Sequence, residues 1–557
     1  MINLGISFNG IHDSAACIYR DGKLLFAIEE ERLSRVKHDA AFPRRSIKAC
    51  VEFTGIKAEE IDHACIDWPA PRRTALHDLR CVLTGKIPFM SLHSISVTWW
   101  SRMRIKNGEK PFRRLLPGFR GKYVQVDHHR SHALSAYGHS GFDDAAILII
   151  DGRGAWEATS IWKGKGGRME HVQTWNYPNS LGLFYAALTK HLGFTPYSDE
   201  WKVMGLAPYG NPGISMDRLI QVDADGYTVN ARAVDDILKG QNLPAELGPP
   251  REPESEIAQS HKDLAWAVQD ACERAMVILV EIAVKKTGSR NLCMAGGVAL
   301  NSKANGKIEA SKMIDRFFGQ PAAADDGACL GAALAPYLDN GGAMPMHTMR
   351  SAYLGPAFTD DEIEKVLKTF KLPYAKSDNV HRTAAQMVAD GKIIGWFQGR
   401  MEFGPRALGH RSIIADTRDP QMKEKVNNVV KFREDWRPFA PSILAEAAKD
   451  YLESGFDSPF MILTAKVRKE KQTVIPAVTH ADGTARQQTV EKSESPDYWQ
   501  LIDEFRQITG VPVVMNTSFN LRGEAIVTTP ADAIRTFYSC GMDVLFLGSF
   551  YLDKTKA

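Results

Sequence analysis

The sequence predicts an α/β chain in two domains, the first of them internally duplicated. Three features carry that expectation. A three-strand meander appears twice, over residues 2–31 and again over 145–174. Apolar strands run repeatedly into glycine-bearing polar turns, where backbone can approach a ligand closely. A Gly/Pro/Met-rich passage, residues 339–356, divides two stretches of different texture. The 557 residues suffice for two or more separate cores.

The first meander opens with Ile2–Phe8, which ends in Asn9-Gly10, and a loop carrying His12 follows. Ala15–Tyr19 and Leu24–Ile28 flank Asp21-Gly22, a hairpin signal. The second copy repeats the plan. Ile147–Ile150 ends at Asp151-Gly152, Ala158–Trp162 follows, then a glycine-rich turn and a third strand to about Val172. Two such lobes with a nucleotide between them are the pattern of the actin-like, sugar-kinase type of fold.

Between the copies, a strand at Tyr123–Val126 leads into His128 and His132. At i and i+4 on a helix, both imidazoles project from one face, where they can share a metal. Asp151 closes the next buried strand. Asp325 and Asp326 stand at a turn before a small-residue helix, where they would either cap it or supply a ligand. His128, His132, Asp151 and Asp325 together offer two imidazoles and two carboxylates. That set suits a first-row divalent ion such as iron(II), manganese or zinc.

Further elements follow in order. Residues 179–210 read as an amphipathic helix starting near Ser180, then a loop holding Lys202, Gly205 and Pro208. Residues 214–255 read as an irregular insertion, and Ser260–Lys286 as a long helix. Gly296-Gly297 joins a strand to a helix beginning at about Val298, a candidate adenosine contact. Past the boundary, residues 358–391 read as helical and Ile393–Phe397 as a buried strand.

Next comes a run of cations among glycines, prolines and strand residues: Arg400, Arg406, Arg411, Arg418, Lys431, Arg433 and Arg437. They do not lie along one polar helix face, and few acids accompany them. Guanidinium forks clamp phosphate oxygens, so the run reads as an anion site. Ile475–Val490, with Arg486, reads as a hairpin on the same cleft. Val511–Gly523 reads as a strand running into Asn516, Ser518 and Asn520, polar groups suited to a nucleotide or a carbamoyl amide.

Global composition bounds the partners. There are 69 basic and 66 acidic residues, a net charge of +3, which argues against a nucleic-acid binder. The eight cysteines form no CxxC pair, which points to a reducing compartment and away from a zinc ribbon. The N-terminus has no signal-peptide pattern and no apolar run reaches membrane-spanning length, so a cytoplasmic protein without a membrane partner is expected.

Several long motifs carry a family resemblance. FGPRALGHRSI, KFREDWRPFAPSI and VMNTSFNLRGE resemble the C-terminal half of the antibiotic and nodulation O-carbamoyltransferases, the NodU/CmcH family. SLGLFYAALTKHLGF, KVMGLAPYG, GGVALN and the His-x-x-x-His pair resemble their N-terminal half. Trp201 departs from the pattern, which has a smaller residue before the lysine of KVMGLAPYG. The resemblance implies a duplicated actin-like (ASKHA, TsaD-like) transfer domain over 1–345 and a YrdC-like α/β domain over 356–557.

It further implies an ATP-dependent carbamoyltransferase of natural-product biosynthesis. Carbamoyl phosphate and ATP, with Mg2+, would yield carbamoyl-adenylate in the second domain. A hydroxyl of a small molecule would then take the carbamoyl group at the metal-bearing first domain, iron(II) being the expected ion. By motif, the metal ligands are His128, His132, Asp151 and Asp325. The residues for carbamoyl phosphate and ATP are Arg406, Lys431, Arg437, Arg486, Asn516 and Ser518, with Lys431 and Arg437 in the chemistry. His12 is similar to a histidine at the acceptor site, where an ordinary imidazole pKa would suit a general base. Rival readings are a sugar or acid kinase, which leaves the arginine run without a task, and a tRNA-modifying protein, which the near-neutral charge disfavours. The acceptor pocket is expected from residues 70–120 and 195–255.

Overall fold

The computed structural model describes every residue except 69–75, 77–78, 81–82, 85–107, 346 and 555–557. Most of the first segment expected to build the acceptor pocket therefore lies outside the described residues. The chain divides into two compact units, Met1–Glu30 with His38–Met349 and Glu31–Lys37 with Arg350–Ala557. Residues Glu31–Lys37 belong with the second unit although both their sequence neighbours belong with the first. Side chain-to-backbone bonds hold them there. Arg32 donates to the Gly404 carbonyl at 2.8 Å, Thr528 donates to the Arg32 carbonyl at 2.6 Å, and Arg35 donates to the carbonyls of Ala525 and Ile526.

The first unit holds two five-stranded sheets of one design. Strands β1 (Ile2–Ser7), β2 (Ala15–Arg20), β3 (Lys23–Glu29), β4 (His63–Ile66) and β5 (Lys122–Gln125) lie in the order β3-β2-β1-β4-β5. In the second sheet, β6 (Asp144–Ile150), β7 (Glu157–Lys165) and β8 (Arg168–Asn176) form the meander. After a separate hairpin of β9 (Ile220–Asp223) and β10 (Gly226–Val229), β11 (Asn291–Ala295) and β12 (Arg316–Gly319) complete the order β12-β11-β6-β7-β8. Each sheet is an antiparallel meander with two parallel strands added beyond its first strand. The duplication therefore embraces whole sheets, not only the meanders. The inner strands are near-continuous runs of buried apolar residues, as a sheet covered on both faces requires.

Two helices, His128–Ser140 and Asp325–Asp339, pack on each other through small residues. A Cβ placed on Gly331 would lie 1.8 Å from the Ser131 carbonyl oxygen, so only glycine permits this approach. Their burial is all-round, which explains why neither shows a clean amphipathic period.

Local readings need correction where tertiary packing organises polar sequence. The stretch from Lys202 is not a loop. Glu200–Leu206 is helical and Ala207–Tyr209 adds a 3-10 turn. The supposed irregular insertion contains β9, β10 and the strongly amphipathic helix Ala231–Lys239, capped by Asn230. The helix expected from Val298 begins at Ser302, after a 3-10 turn over Gly297–Leu300.

The second unit is built on one nine-stranded mixed sheet. Its strands are β13 (Ala375–Lys376), β14 (Ile394–Phe397), β15 (Arg411–Asp416), β16 (Ala440–Leu444), β17 (Leu463–Lys466), β18 (Thr484–Val490), β19 (Val513–Ser518), β20 (Val544–Leu547) and β21 (Phe550–Asp553). They lie in the order β13-β21-β20-β14-β15-β19-β16-β18-β17. Helices Val380–Ala389 and Pro496–Thr509 bury Val388, Leu501 and Phe505 in a core shared with Trp396 and Phe546. Residues 475–490 are no self-contained hairpin: a 3-10 turn precedes β18, which pairs antiparallel with β17 and parallel with β16.

Candidate functional site

The first unit gathers His128, His132, Asp151 and Asp325 into one buried cluster, with ligand atoms all within 4.8 Å of one another. Three features of the duplicated fold position the four residues. The two histidines share one face at the start of their helix, Asp151 follows β6, and Asp325 opens the second helix. His128 Nε2 lies 3.1 Å from His132 Nε2, 3.3 Å from Asp151 Oδ2 and 3.5 Å from Asp325 Oδ1. His132 Nε2 lies 3.7 Å from the same Asp325 oxygen.

These spacings fit a cation. With bonds of about 2.1 Å, neighbouring donors stand roughly 3.4 Å apart in a tetrahedral shell and roughly 3.0 Å apart in an octahedral one. A single N–H···N bond can satisfy the two imidazole nitrogens alone, whereas a cation would satisfy them together with the carboxylate oxygens that face them. Burial disfavours a charged His128, yet Asp325 and Asp151 override it and hold the imidazole pKa well above its usual value. The same carboxylates would hold a divalent ion and exactly offset its charge count in formal terms, minus two against plus two.

The supporting contacts were not legible in the sequence. His128 Nδ1 faces the Asp67 backbone carbonyl at 3.2 Å, which fixes the tautomer that leaves Nε2 free to ligate. Asp67 is in turn held by the Ser7 hydroxyl at 2.9 Å, and Trp68 lies against the His128 ring. Gly297 donates its N–H to Asp151 Oδ1 at 3.3 Å. The Gly296-Gly297 turn, expected to meet a nucleotide, thus orients a cluster carboxylate. A Cβ on Gly296 would sit 2.3 Å from the Ile150 carbonyl oxygen.

His12 belongs to the same neighbourhood. Asn9 donates to Asp325 with its amide and accepts from the backbone N–H groups of Ile11 and His12. This residue ties the His12 loop to the cluster, and a polar residue at a strand end was its only sequence signal. His12 Nδ1 meets Asp13 Oδ2 at 3.2 Å, and Asp13 Oδ1 meets His38 Nδ1 at 2.7 Å. Burial lowers the His12 pKa, but the Asp13 bond and the charges of Asp325 and Asp151 outweigh it and raise it to about 10. The expected ordinary pKa is therefore corrected. With the aspartates uncompensated, His12 is an imidazolium and cannot accept a proton at neutral pH. A cation on the cluster would remove part of that bias. Trp201, the departure from the motif, donates to the Ser198 carbonyl at 2.9 Å on the Glu200–Leu206 helix.

In the second unit the cation run splits in two. Arg400 donates to the Leu354 and Gly355 carbonyls. Arg411, fully buried, donates to the carbonyls of Pro356, Gln398, Gly399 and His410. Arg418 pairs with Asp416. These three brace the fold, which corrects the reading of the whole run as an anion site. Arg406, Lys431, Arg433, Arg437 and Arg486 form the second group. The Lys431 ammonium donates to Ser518 and to Asn520, the latter side chain at 2.9 Å, all of them neutral acceptors. Burial, then the neighbouring charges of Arg433 and Arg437, push its pKa well below the usual lysine range. Burial, then Arg406 and Arg433, do the same to Arg486. Burial alone brings Arg406 to about 10. Guanidinium groups stay charged in proteins, so these shifts reflect first the cost of burying charge, with mutual repulsion added at Lys431 and Arg486, and an anion would offset both. Glu434 beside Arg437, at 3.4 Å, offsets only a fraction of it.

Asn516 is placed differently from expectation. Its amide is buried in the sheet and donates to the Ala407 carbonyl, Ser442 and Gln488. It braces the loop next to Arg406 and does not present that amide to a ligand. Ser518 reaches the site, between Lys431 and Asn520.

Comparison with known proteins places the whole chain. The profile of the carbamoyltransferase N-terminus matches residues 3–77 and 98–334, and that of the carbamoyltransferase C-terminus matches residues 385–554. The chain belongs to the carbamoyltransferase family. The nodulation protein NolNO of Sinorhizobium fredii is 39% identical over 98% of this chain and 80% of its own. NolO of Bradyrhizobium diazoefficiens is 39% identical over 78% of this chain and 79% of its own. An uncharacterised Synechocystis protein is 38% identical over 99% of this chain and 96% of its own. Both clusters of this carbamoyltransferase fall inside the matched segments. No helix among its described residues is long and apolar enough to cross a membrane.

Proposed function

We propose that this carbamoyltransferase is ATP-dependent. In this reading the second unit, YrdC-like, converts carbamoyl phosphate and ATP into carbamoyl-adenylate, releasing inorganic phosphate from the first and pyrophosphate from the second. The first unit, actin-like and TsaD-like, passes the carbamoyl group to a hydroxyl of a small natural product. The observation that carries the reading is the group of cations Arg406, Lys431, Arg433, Arg437 and Arg486, the lysine and Arg437 buried and the others half-buried, with Glu434 paired to Arg437; an anionic substrate would balance their excess positive charge.

The residues divide the work. Lys431, Arg437, Arg406 and Arg486 bind and orient the phosphate oxygens and stabilise charge that develops as the anhydride forms. Ser518 and Asn520 hold the Lys431 ammonium in place. In the first unit, His128, His132, Asp151 and Asp325 would hold a divalent ion, iron(II) foremost, with manganese or zinc as alternatives. That ion would supply Lewis acidity and fix a phosphate or carbonyl oxygen. His12 takes the proton of the acceptor hydroxyl once its imidazole is neutral, with Asp13 fixing the ring and its tautomer. In this reading the acceptor is a small molecule and not a nucleic acid, which the near-neutral net charge of +3 disfavours.

The test is to incubate the enzyme with ATP and carbamoyl phosphate, with and without candidate hydroxyl compounds. AMP formed only when both substrates are present, and a carbamoyl mass increase on an acceptor, are expected. A phosphorylated acceptor, or ATP turnover indifferent to carbamoyl phosphate, would overturn the reading in favour of a kinase.

A further inference from the structure

We propose that His38 is a positioning residue for carbamoyl transfer: acting through Asp13, it orients the His12 ring. The inference rests on the role given to His12 above and deepens it.

Asp13 bridges two imidazoles. Its Oδ2 meets His12 Nδ1 at 3.2 Å, and its Oδ1 meets His38 Nδ1 at 2.7 Å. Burial would raise the Asp13 pKa, but the bonds from His12 and His38 outweigh it and hold the carboxyl below its usual range. Asp13 is therefore a carboxylate that accepts on both oxygens, and each imidazole donates from Nδ1. When His12 is neutral, its proton stays on Nδ1 and its Nε2 is the basic nitrogen. His12 Nε2 has no hydrogen-bond partner among the described residues, and the side chain is 25% exposed. That nitrogen is the one able to meet a substrate hydroxyl.

Asp13 alone would hold the ring loosely, because a carboxylate turns easily about its last torsion. The shorter bond from His38 fixes the carboxylate plane and so aims Oδ2 at His12. The backbone is bent to allow it. Asp13 has φ 52° and His38 φ 54°, the left-handed region, which few residues other than glycine enter even though aspartate and histidine tolerate it better than most. Such conformations persist where the surroundings impose them, and they gather at functional sites. The Ser14 N–H donates to the Asp39 carbonyl at 3.1 Å, which joins the two loops beside their left-handed residues. Tyr197, also left-handed at φ 64°, lies nearly parallel to the His12 ring, at 13° and with centroids 6.4 Å apart. The imidazole is thus tethered at Nδ1 and bounded on one side.

Two substitutions suit the left-handed backbone at position 38 and differ in the donor. His38→Asn keeps an N–H near the place of Nδ1, and His38→Gly has none. NMR of the full-length enzyme labelled with nitrogen-15 histidine reads the bridge without any acceptor. The wild type should show a hydrogen-bonded Nδ1–H proton far downfield that vanishes in His12→Asn and is thereby assigned. It should broaden or disappear in His38→Gly and return in His38→Asn. With the hydroxyl compound that gains the carbamoyl mass in the assay above, His38→Gly should lower kcat roughly 10–100-fold at unchanged KM, and His38→Asn should recover most of it. A wild-type resonance and rate in His38→Gly would overturn the proposal. So would equal losses in both variants, which would mean that the imidazole only fills space. A raised KM at unchanged kcat would also overturn it, by placing His38 against the substrate. If His12→Asn transferred at the wild-type rate, the base role of His12 would fall and the proposal with it; a resonance still lost in His38→Gly and restored in His38→Asn would tell that failure from a failure of the bridge.

Discussion

At the scale of single residues, the two clusters store opposite kinds of electrostatic imbalance. In the first unit, two carboxylates face two imidazoles. Replacing His132 removes one of four donors, so His132→Ala is expected to lower metal affinity by more than roughly 100-fold. Elemental analysis of the purified variant checks it, and full occupancy would count decisively against the ligand set. Chelating the metal should also raise the His12 pKa, because Asp325 and Asp151 then act on it unopposed. NMR titration of labelled histidine, with and without chelator, reads that shift directly. In the second unit the imbalance is positive. Lys431 has a folded-state pKa below its unfolded value of about 10.4. Between those two values the unfolded chain binds more protons, so stability of the ligand-free enzyme rises with pH in that window. Added tripolyphosphate, which relieves the same repulsion, should therefore raise Tm more at pH 7 than at pH 10.

At the scale of elements, the metal-type cluster depends on a helix pair whose axes approach through glycine. Asp325 opens one helix and His128 and His132 open the other. Gly331→Val would drive a side chain into the Ser131 carbonyl, 1.8 Å from the first added carbon. Overpacking of this kind costs about 1–3 kcal/mol. The variant should lose several degrees of Tm and bind metal more weakly, while anion binding by the second unit persists. Thermal melts with elemental analysis measure both, and a melt unchanged from wild type would show that the pair has room to move apart. The second unit depends equally on elements, since β15, β16 and β19 place Ser412 opposite Ser518 and Ala440 opposite Asn516.

At the scale of the whole molecule, the two chemistries are expected to be separable because their residues fall in different compact units. Losing one charge-assisted contact to a desolvated phosphate costs roughly 2–5 kcal/mol. Arg437→Ala and Lys431→Ala should thus abolish ATP consumption without acceptor. His12→Asn should leave consumption intact and slow transfer by roughly 10²–10⁴-fold, the usual cost of a lost general base. Pre-formed carbamoyl-adenylate should rescue Arg437→Ala and not His12→Asn. Rescue of both, or of neither, would dissolve the two-site scheme.

The sequence by itself determined the class of elements, the repeated meander and the long motifs, because hydrophobic period, turn residues and i,i+4 spacing are local properties of the chain. It also named the four donors of the buried cluster, since each stands at the end of a readable strand or helix. Tertiary structure decided which polar residues serve the site. Arg400, Arg411 and Arg418 look like Arg406 and Arg486 in sequence, and only the partners that folding gives them, carbonyls for the first two and the Asp416 carboxylate for Arg418, mark them as braces. Asn516 turned inward for the same reason. Asp67 and Asn9 carry no motif, and their place beside His128 and Asp325 arises from pairing of β1 with β4 and from packing of the Asp325 helix. The His12 pKa was beyond sequence reasoning altogether. It is set by burial and by three carboxylates, two of them far along the chain, that only folding brings near.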